Sequence, residues 1–329
     1  MAKTNILVVL PVTDVHKKKL EAAAPAAEFS YMAPAAVTPE AAAAAHIIIG
    51  NMPPEHFSGS ENLKWLQLNY AGVGKFADPG VLPAGTLLTN SSGAYGEAIG
   101  EYLVAMLLYL MKKFYLYRDN QKNKIWKDMG RVKTIIGSRV LVVGLGDIGL
   151  SFARRIKAMG GQVTGIRRHA GDRPDSVDQV YSLEQLDELL PQADVVAMCL
   201  PDTPLTRGLM DRQRLLAMKQ GAYFLNVGRG NAVDNVALAE VLAAGHLGGA
   251  AVDVIEPEPL PQDHPLWDAP NSLLTPHVAG GFHAGDILEK VVAISCDNLR
   301  RYFAGEPLLN LVDREAGYRH REGQWRQAE

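Results

Sequence analysis

The sequence predicts an α/β protein of two Rossmann-like domains, each a doubly wound parallel sheet, with a cleft between them. Two observations carry this. Short apolar runs alternate with helical patterns through most of the chain, as expected of parallel strands joined by crossover helices. The alternation lapses at a long helical stretch from Glu97 and restarts at Arg139, so there are two such blocks. Length agrees, because 329 residues exceed one ordinary domain.

In the first block, Ile6–Leu10 reads as a strand and Lys17–Ala24 as a helix. His46–Ile49 is a second buried strand, ended by Gly50. Trp65–Leu68 is a third, and Leu87 and Leu88 lie in a fourth. The run Ala41–Ala45 reads as a plain helix rather than a linker, since alanine is the best helix former. Glu97–Arg118 is a long helical pattern, with Leu103, Met106, Leu107 and Leu110 at helical spacing. The polar, basic stretch Arg118–Lys133 follows, with Trp126 inside it. It is either a solvated surface or an arm that packs on a second subunit.

The second block begins with the strand Val140–Val143. Gln162–Ile166, Val195–Leu200, Tyr223–Val227 and Ala250–Val254 are further strands. The helices between them are about Leu150–Met159, Leu183–Leu190, Arg212–Met218 and Asn235–Ala244. That is a complete doubly wound unit. Asp286–Ala304 closes as an amphipathic helix, and the polar tail beyond Tyr318 is expected to fray.

Composition narrows the function classes. A hydrophobic content of 47% suits a globular α/β protein. A formal net charge of -3 and the lack of a basic stripe with interleaved aromatics argue against a nucleic-acid partner. No stretch is long and apolar enough to span a bilayer. Cys199 and Cys296 are far apart in apolar contexts, which points to a reducing compartment. The expectation is a cytoplasmic protein without a membrane partner. No pairing of His, Cys or acidic residues has metal-ligand spacing.

The most specific local signal is Gly144-Leu145-Gly146-Asp147-Ile148-Gly149, which follows a strand and opens a helix. In that setting the loop amides and helix N-terminus can face a dinucleotide pyrophosphate. Gly144 permits the tight turn, Gly146 the close approach and Gly149 the helix–strand packing. The next strand would carry an acid at its tip if it held an unmodified ribose. Here the tip is Arg167-Arg168-His169. A guanidinium binds a 2′-phosphate where a carboxylate would repel it, so NADP(H) is expected over NAD(H). If the arginines are only surface charges, NAD(H) is the cofactor.

Around this motif the chain resembles the D-isomer-specific 2-hydroxyacid dehydrogenases, a family that includes glyoxylate/hydroxypyruvate reductases. The blocks that carry the likeness are GLGDIG, LPDTPLTRGLM (200–210), MKQGAYFLNVGRG (218–230), AVDVIEPEPLP (251–261), HPLWDAPNSLLTPH (264–277) and GEPLLNLVD (305–313). The likeness runs from about His46 to Tyr318. It implies a catalytic set of Arg229, Glu258 and His277. Chemistry agrees: a 2-oxo acid needs a cation for its carboxylate and a proton donor at its carbonyl, and histidine serves near neutral pH. A carboxylate beside the imidazole would orient it. Taken singly, each of the three could be an ordinary loop or surface residue.

The resemblance implies further contacts. Pro201 and Asp253 belong on the cofactor side, Asp253 at the nicotinamide carboxamide unless it is only a loop cap. Ala71, Gly72, Val73 and Gly74, within NYAGVG, resemble the loop whose amides take the substrate carboxylate. Asn51 and Met52 are candidates to line the same cleft, and His264 and His283 are expected at the surface or behind the site. After His277 the chain reads Val-Ala-Gly-Gly, where many members carry Ile-Gly and a small polar residue. The expected domains are a discontinuous substrate-binding domain of residues 1–98 and 286–329 and a dinucleotide-binding domain of residues 99–285. A homodimer is implied. The expected activity is interconversion of a small 2-oxo acid, such as glyoxylate or hydroxypyruvate, with its 2-hydroxy acid. The alternatives are an NAD-dependent member acting on a bulkier acid and a non-catalytic dinucleotide sensor of the same fold.

Overall fold

The computed structural model describes residues 3–168, 173–284 and 286–314, and the backbone at 318–319. His169 and the tail from residue 320 onward lie outside the described residues. The chain divides into two compact units, Met1–Tyr95 with Gly285–Glu329, and Gly96–Ala284. Each is built on a parallel sheet.

The first unit opens with β1 (Asn5–Val9), α1 (Asp14–Ala23), β2 (Glu28–Tyr31), α2 (Pro39–Ala43), β3 (Ile47–Gly50), β4 (Trp65–Gln67) and β5 (Leu87–Thr89). The sheet order is β2-β1-β3-β4-β5, and every neighbouring pair is parallel. Ile47, Ile48 and Ile49 are wholly buried. A parallel sheet is covered on both faces, so its central strands read as unbroken apolar runs. Thr13 and His16 form a capping box at the start of α1, and Thr38 caps α2 by accepting from the Ala41 amide.

The second unit contains α3 (Gly96–Met111), α4 (Phe114–Lys122), β6 (Arg139–Val143), α5 (Asp147–Ala158), β7 (Gln162–Ile166), β8 (Gln179–Tyr181) and α6 (Leu186–Leu189). It continues with β9 (Val195–Met198), α7 (Arg212–Ala217), β10 (Tyr223–Asn226), α8 (Asn235–Ala243), β11 (Gly249–Val252) and β12 (Ser272–Leu274). The sheet order is β12-β11-β10-β9-β6-β7-β8. From β6 the chain steps outward through β7 to β8, then crosses back to β9 and steps outward the other way. Ligands of such sheets bind beyond the carboxyl ends of the strands at this switch point. The loops after β6, β9, β10 and β11 all leave from that edge. Phe152, Ala153 and Ile156 of α5 are buried at helical spacing.

The chain returns to the first unit as α9 (Ile287–Ala304), then β13 (Val312–Asp313) and β14 (Tyr318–Arg319), an antiparallel pair. α9 packs on α1. Asn298, wholly buried, donates to Gln67 Oε1 at 2.8 Å and accepts from the Leu309 amide at 2.7 Å. These buried, satisfied bonds tie the C-terminal segment to β4.

Two departures from the sequence reading have physical causes. The expected helix Glu97–Arg118 is two helices, because Lys113 takes a left-handed backbone (φ 57) between α3 and α4. The Lys112 and Lys113 ammonium groups donate to the carbonyls of Lys133 and Met129, each at 2.8 Å, which fastens the turn. The strands β2, β8 and β12 carry no clear sequence signal. All three are edge strands of three or four residues with few buried positions. No helix among the described residues is long and apolar enough to cross a membrane.

Candidate active site

The glycine loop joins β6 to α5. A Cβ on Gly149 would lie 2.0 Å from the Gly144 carbonyl oxygen, and one on Gly144 would lie 2.7 Å from that of Cys199. Both positions therefore exclude a side chain. Gly146 faces open space, with nothing within 4 Å of an added Cβ. Among the described residues, none accepts from the backbone amides of Leu145, Gly146 or Ile148. An open glycine beside unpaired amides at the N-terminus of a twelve-residue helix fits a pyrophosphate.

Asp147 sits in the same turn, where a carboxylate facing the pyrophosphate would repel it. Its Oδ2 instead accepts from the Gly96 amide at 2.8 Å, so the charge is spent on the N-terminus of α3. Ile148 is half-buried in the first turn of α5. Arg167 and Arg168 follow β7, next to β6 in the sheet, with Arg167 half-buried and Arg168 exposed. Pro201, exposed, follows β9, and its carbonyl accepts from the Thr206 hydroxyl at 2.7 Å.

Glu258 and His277 meet directly. The His277 Nδ1 lies 2.9 Å from Glu258 Oε2. An ionised carboxylate can only accept, so Nδ1 carries the proton and Nε2 is left to exchange one. Both side chains are about half exposed, at 52% and 41%, so a small molecule can reach them. Glu258 Oε1 accepts from the Ile255 amide at 3.1 Å, which anchors the carboxylate from its other side.

Arg229 makes no hydrogen bond to either. Its Nη1 donates to the Gly228 carbonyl at 2.6 Å. The link to Glu258 runs through the backbone: a Cβ on Gly230 would lie 2.1 Å from the carbonyl of Ile255, so the Arg229 turn presses on the segment that holds Glu258. Burial lowers the pKa of the Arg229 guanidinium, opposed by the Asp202 and Glu258 carboxylates. The group stays charged at any working pH. A half-buried cation with part of its hydration stripped away binds a carboxylate more strongly than a surface arginine does.

Asn226, wholly buried at the end of β10, braces this turn. It accepts from the Gly228 amide at 3.0 Å and donates to the Arg229 carbonyl at 3.1 Å. Sequence reasoning passed over Asn226, although an asparagine closing a buried apolar strand is an anomaly that could have marked it.

Asp253, 2% exposed, organises the His277 loop. Its Oδ1 accepts from the Thr275 hydroxyl at 2.6 Å and the Val278 amide at 2.9 Å, and its Oδ2 from the Ala279 amide at 3.0 Å. Its own carbonyl accepts from the His277 amide at 2.8 Å. Within this frame His277 holds φ 52, a left-handed conformation that a non-glycine residue takes only when its surroundings impose it. The carboxylate thus acts as a loop cap, with one acceptor position on Oδ2 to spare.

The Ala71–Gly74 segment lies in the first unit. Asn90 Nδ2 donates to the Ala71 carbonyl at 2.7 Å, and the Tyr95 hydroxyl donates to that of Asn69. Asn51 accepts from the Asn69 amide at 2.8 Å, so it shapes this loop, while Met52 is buried. Val73 is right-handed helical (φ -93, ψ -23) and Gly74 follows at φ 50. That succession turns consecutive amides into a concavity for an anion. Among the described residues, none accepts from the amides of Gly72, Val73 or Gly74. His264 spends Nδ1 on the Leu266 amide at 3.1 Å, and His283 is exposed.

Comparison with known proteins bears on the whole arrangement. Residues 104–279 match the family described as D-isomer specific 2-hydroxyacid dehydrogenase, NAD binding domain. A glyoxylate/hydroxypyruvate reductase A from Photorhabdus laumondii subsp. laumondii is 31% identical over 278 residues, 81% of this chain and 85% of that protein. A solved structure of a D-isomer specific 2-hydroxyacid dehydrogenase family protein from Aeromonas salmonicida subsp. salmonicida is 33% identical with a TM-score of 0.84, covering 95% of this chain and all of that one. A D-isomer specific 2-hydroxyacid dehydrogenase from Xanthobacter autotrophicus, solved with NADPH and MES, is 31% identical with a TM-score of 0.82, covering 96% of this chain and 100% of that one.

Proposed function

The chain belongs to the D-isomer specific 2-hydroxyacid dehydrogenase family of NAD(P)-dependent oxidoreductases, and we propose that it reduces a small 2-oxo acid such as glyoxylate or hydroxypyruvate, with NADPH preferred. The observation that carries the reading is the His277–Glu258 pair, 2.9 Å apart, on loops that also position the half-buried Arg229. A nicotinamide cofactor supplies hydride for reduction and accepts it in the reverse direction. The residues that would hold it are Gly144, Gly146, Ile148 and Gly149 at the pyrophosphate, with Arg167 and Arg168 at the ribose and Pro201 and Asp253 beyond. Asp147 takes part through its backbone only, its carboxylate being committed to Gly96.

Arg229 binds the substrate carboxylate through two guanidinium donors and draws electron density from the adjacent carbonyl. Within the first unit, the Gly72, Val73 and Gly74 amides are a separate group able to receive an anion. His277 delivers the proton from Nε2 to the carbonyl oxygen, and Glu258 steadies the imidazolium through Nδ1. In oxidation the neutral ring takes that proton back. The cofactor preference is supported by the two arginines at the β7 tip and by the NADPH bound to the Xanthobacter relative. The substrate is supported by the named activity of the Photorhabdus relative. A homodimer in the cytoplasm completes the proposal. Its supports are the exposed Phe114, Ile125, Trp126 and Ile136 in one stretch of chain and two unpaired cysteines.

The test is cofactor oxidation with NADPH and NADH against glyoxylate, hydroxypyruvate and bulkier 2-oxo acids. The expected result is turnover of the two small acids with kcat/KM at least about tenfold higher for NADPH, the scale of one lost charged hydrogen bond. Equal kcat/KM with the two cofactors would remove the NADP preference, and no turnover of any acid would remove the reductase.

A further inference from the structure

Arg229 has a second acidic neighbour besides Glu258. Asp202 lies in the loop after β9, which runs against the Arg229 turn along its length. A Cβ on Gly228 would lie 2.8 Å from the carbonyl oxygen of Leu200 and 2.9 Å from its amide nitrogen. The Gly208 amide donates to the Asn231 carbonyl and the Met210 amide to that of Ala232, both at 2.8 Å. Asp202 sits in sequence between these contacts, so its loop is held against the Arg229 turn on both sides.

The carboxylate of Asp202 is engaged by Arg207. The guanidinium donates from Nε to Oδ1 at 2.8 Å and from Nη2 to Oδ2 at 3.3 Å. This fork geometry holds a carboxylate in one orientation. Arg207 chiefly keeps the Asp202 carboxyl below the usual range, against burial, with Asn231 and Arg229 adding to it. The charge is therefore permanent at working pH.

A fixed anion beside the cation that is to receive an anionic substrate is costly unless something offsets it. We infer that Arg207 is that offset: it pairs with Asp202 and so keeps Asp202 from competing with the substrate carboxylate for Arg229. Asp202 in turn stabilises the half-buried guanidinium while no substrate is present. The pair is thus a positioning and specificity device acting through Arg229, and it rests on the reading of Arg229 as the carboxylate anchor.

The test compares wild type, Arg207→Gln, Asp202→Asn and the double variant in two measurements. One is steady-state reduction of glyoxylate. The other is calorimetric binding of oxamate, an inert carboxylate analogue, to NADPH-saturated protein. Arg207→Gln should raise KM for glyoxylate and Kd for oxamate about two- to fivefold, the scale of a partly exposed charge pair, with kcat within about twofold. Adding Asp202→Asn should restore both constants, which a merely structural role of the pair would not allow. Asp202→Asn alone should bind oxamate at least as tightly as wild type.

An unchanged KM and Kd in Arg207→Gln, or a double variant as weak as the single, overturns the inference. If wild type reduces glyoxylate and the oxamate series stays flat, this inference alone fails. If wild type reduces no 2-oxo acid but the oxamate series shifts and is rescued, the reductase reading fails and the pairing stands. A wild type that neither reduces a 2-oxo acid nor binds oxamate overturns both.

Discussion

At the residue scale, the site divides into groups that were legible in sequence and groups that were not. Arg229, Glu258 and His277 could be singled out only as a set, because the blocks that contain them resemble those of the family; taken singly, each could be an ordinary loop or surface residue. Asn226 carried a signal that went unread, an asparagine closing an apolar strand, whereas Thr275 and the Asp202–Arg207 pair could not be singled out, because their roles depend on which loops meet in three dimensions. Two substitutions separate the roles of the legible three. Arg229→Lys keeps the charge but loses the fork, so KM for a 2-oxo acid should rise about tenfold or more; steady-state kinetics check this, and an unchanged KM contradicts it. Glu258→Gln can still accept from the ring but cannot offset its charge. The expected result is a fall in kcat of about tenfold or more, with NADPH binding unchanged by fluorescence titration.

At the element scale, polar side chains hold loops and strand ends where apolar packing cannot. Asp253 spans the ends of β11 and β12 through its three bonds to residues 275–279. Asp253→Asn should therefore lower kcat more than it lowers the melting temperature, because the loop's geometry depends on the charge while the sheet core does not. Equal, proportionate losses would show that Asp253 is only structural. Asp194 does a similar service at the opposite edge: its Oδ2 accepts from the Arg139 amide at 2.9 Å, and Lys219 bonds Oδ1 at 2.6 Å. Burial pushes the Asp194 carboxyl up, but the Arg139 amide and Lys219 outweigh it, and the net shift is below the usual carboxylate range. A lowered folded-state pKa gives stability that is complete above the unfolded value of 3.8 and is lost as pH falls through the folded one. Asp194→Asn should thus cost about 1 kcal/mol at neutral pH, and the cost should shrink as pH falls progressively below 3.8; a series of urea melts from about pH 7 down into acid checks this. The elements missed in sequence were the short edge strands β2, β8 and β12. An edge strand buries too little for an apolar run and is too short for alternation to register.

At the scale of the whole molecule, the two sheets were legible because buried parallel strands write themselves as runs of Val, Ile and Leu. The turn at Lys113 was not, since lysine carries no signal for a left-handed backbone. That turn directs α4 and the following segment, in which Trp126 is fully exposed and Ile136 is 72% exposed. Burial of this segment against a second copy is the proposed reason for its composition. Light scattering at micromolar concentration should give a dimer, and Trp126→Glu should shift it toward monomer; a wild-type monomer contradicts the proposal. The central claim is that His277 supplies the proton in 2-oxo acid reduction. The most direct measurement is kcat for glyoxylate reduction by His277→Ala with NADPH, on protein whose NADPH affinity has been titrated. The account expects kcat to fall by about 100-fold or more, the usual scale for a lost general acid, with NADPH affinity retained. Near-normal turnover by that variant would contradict it.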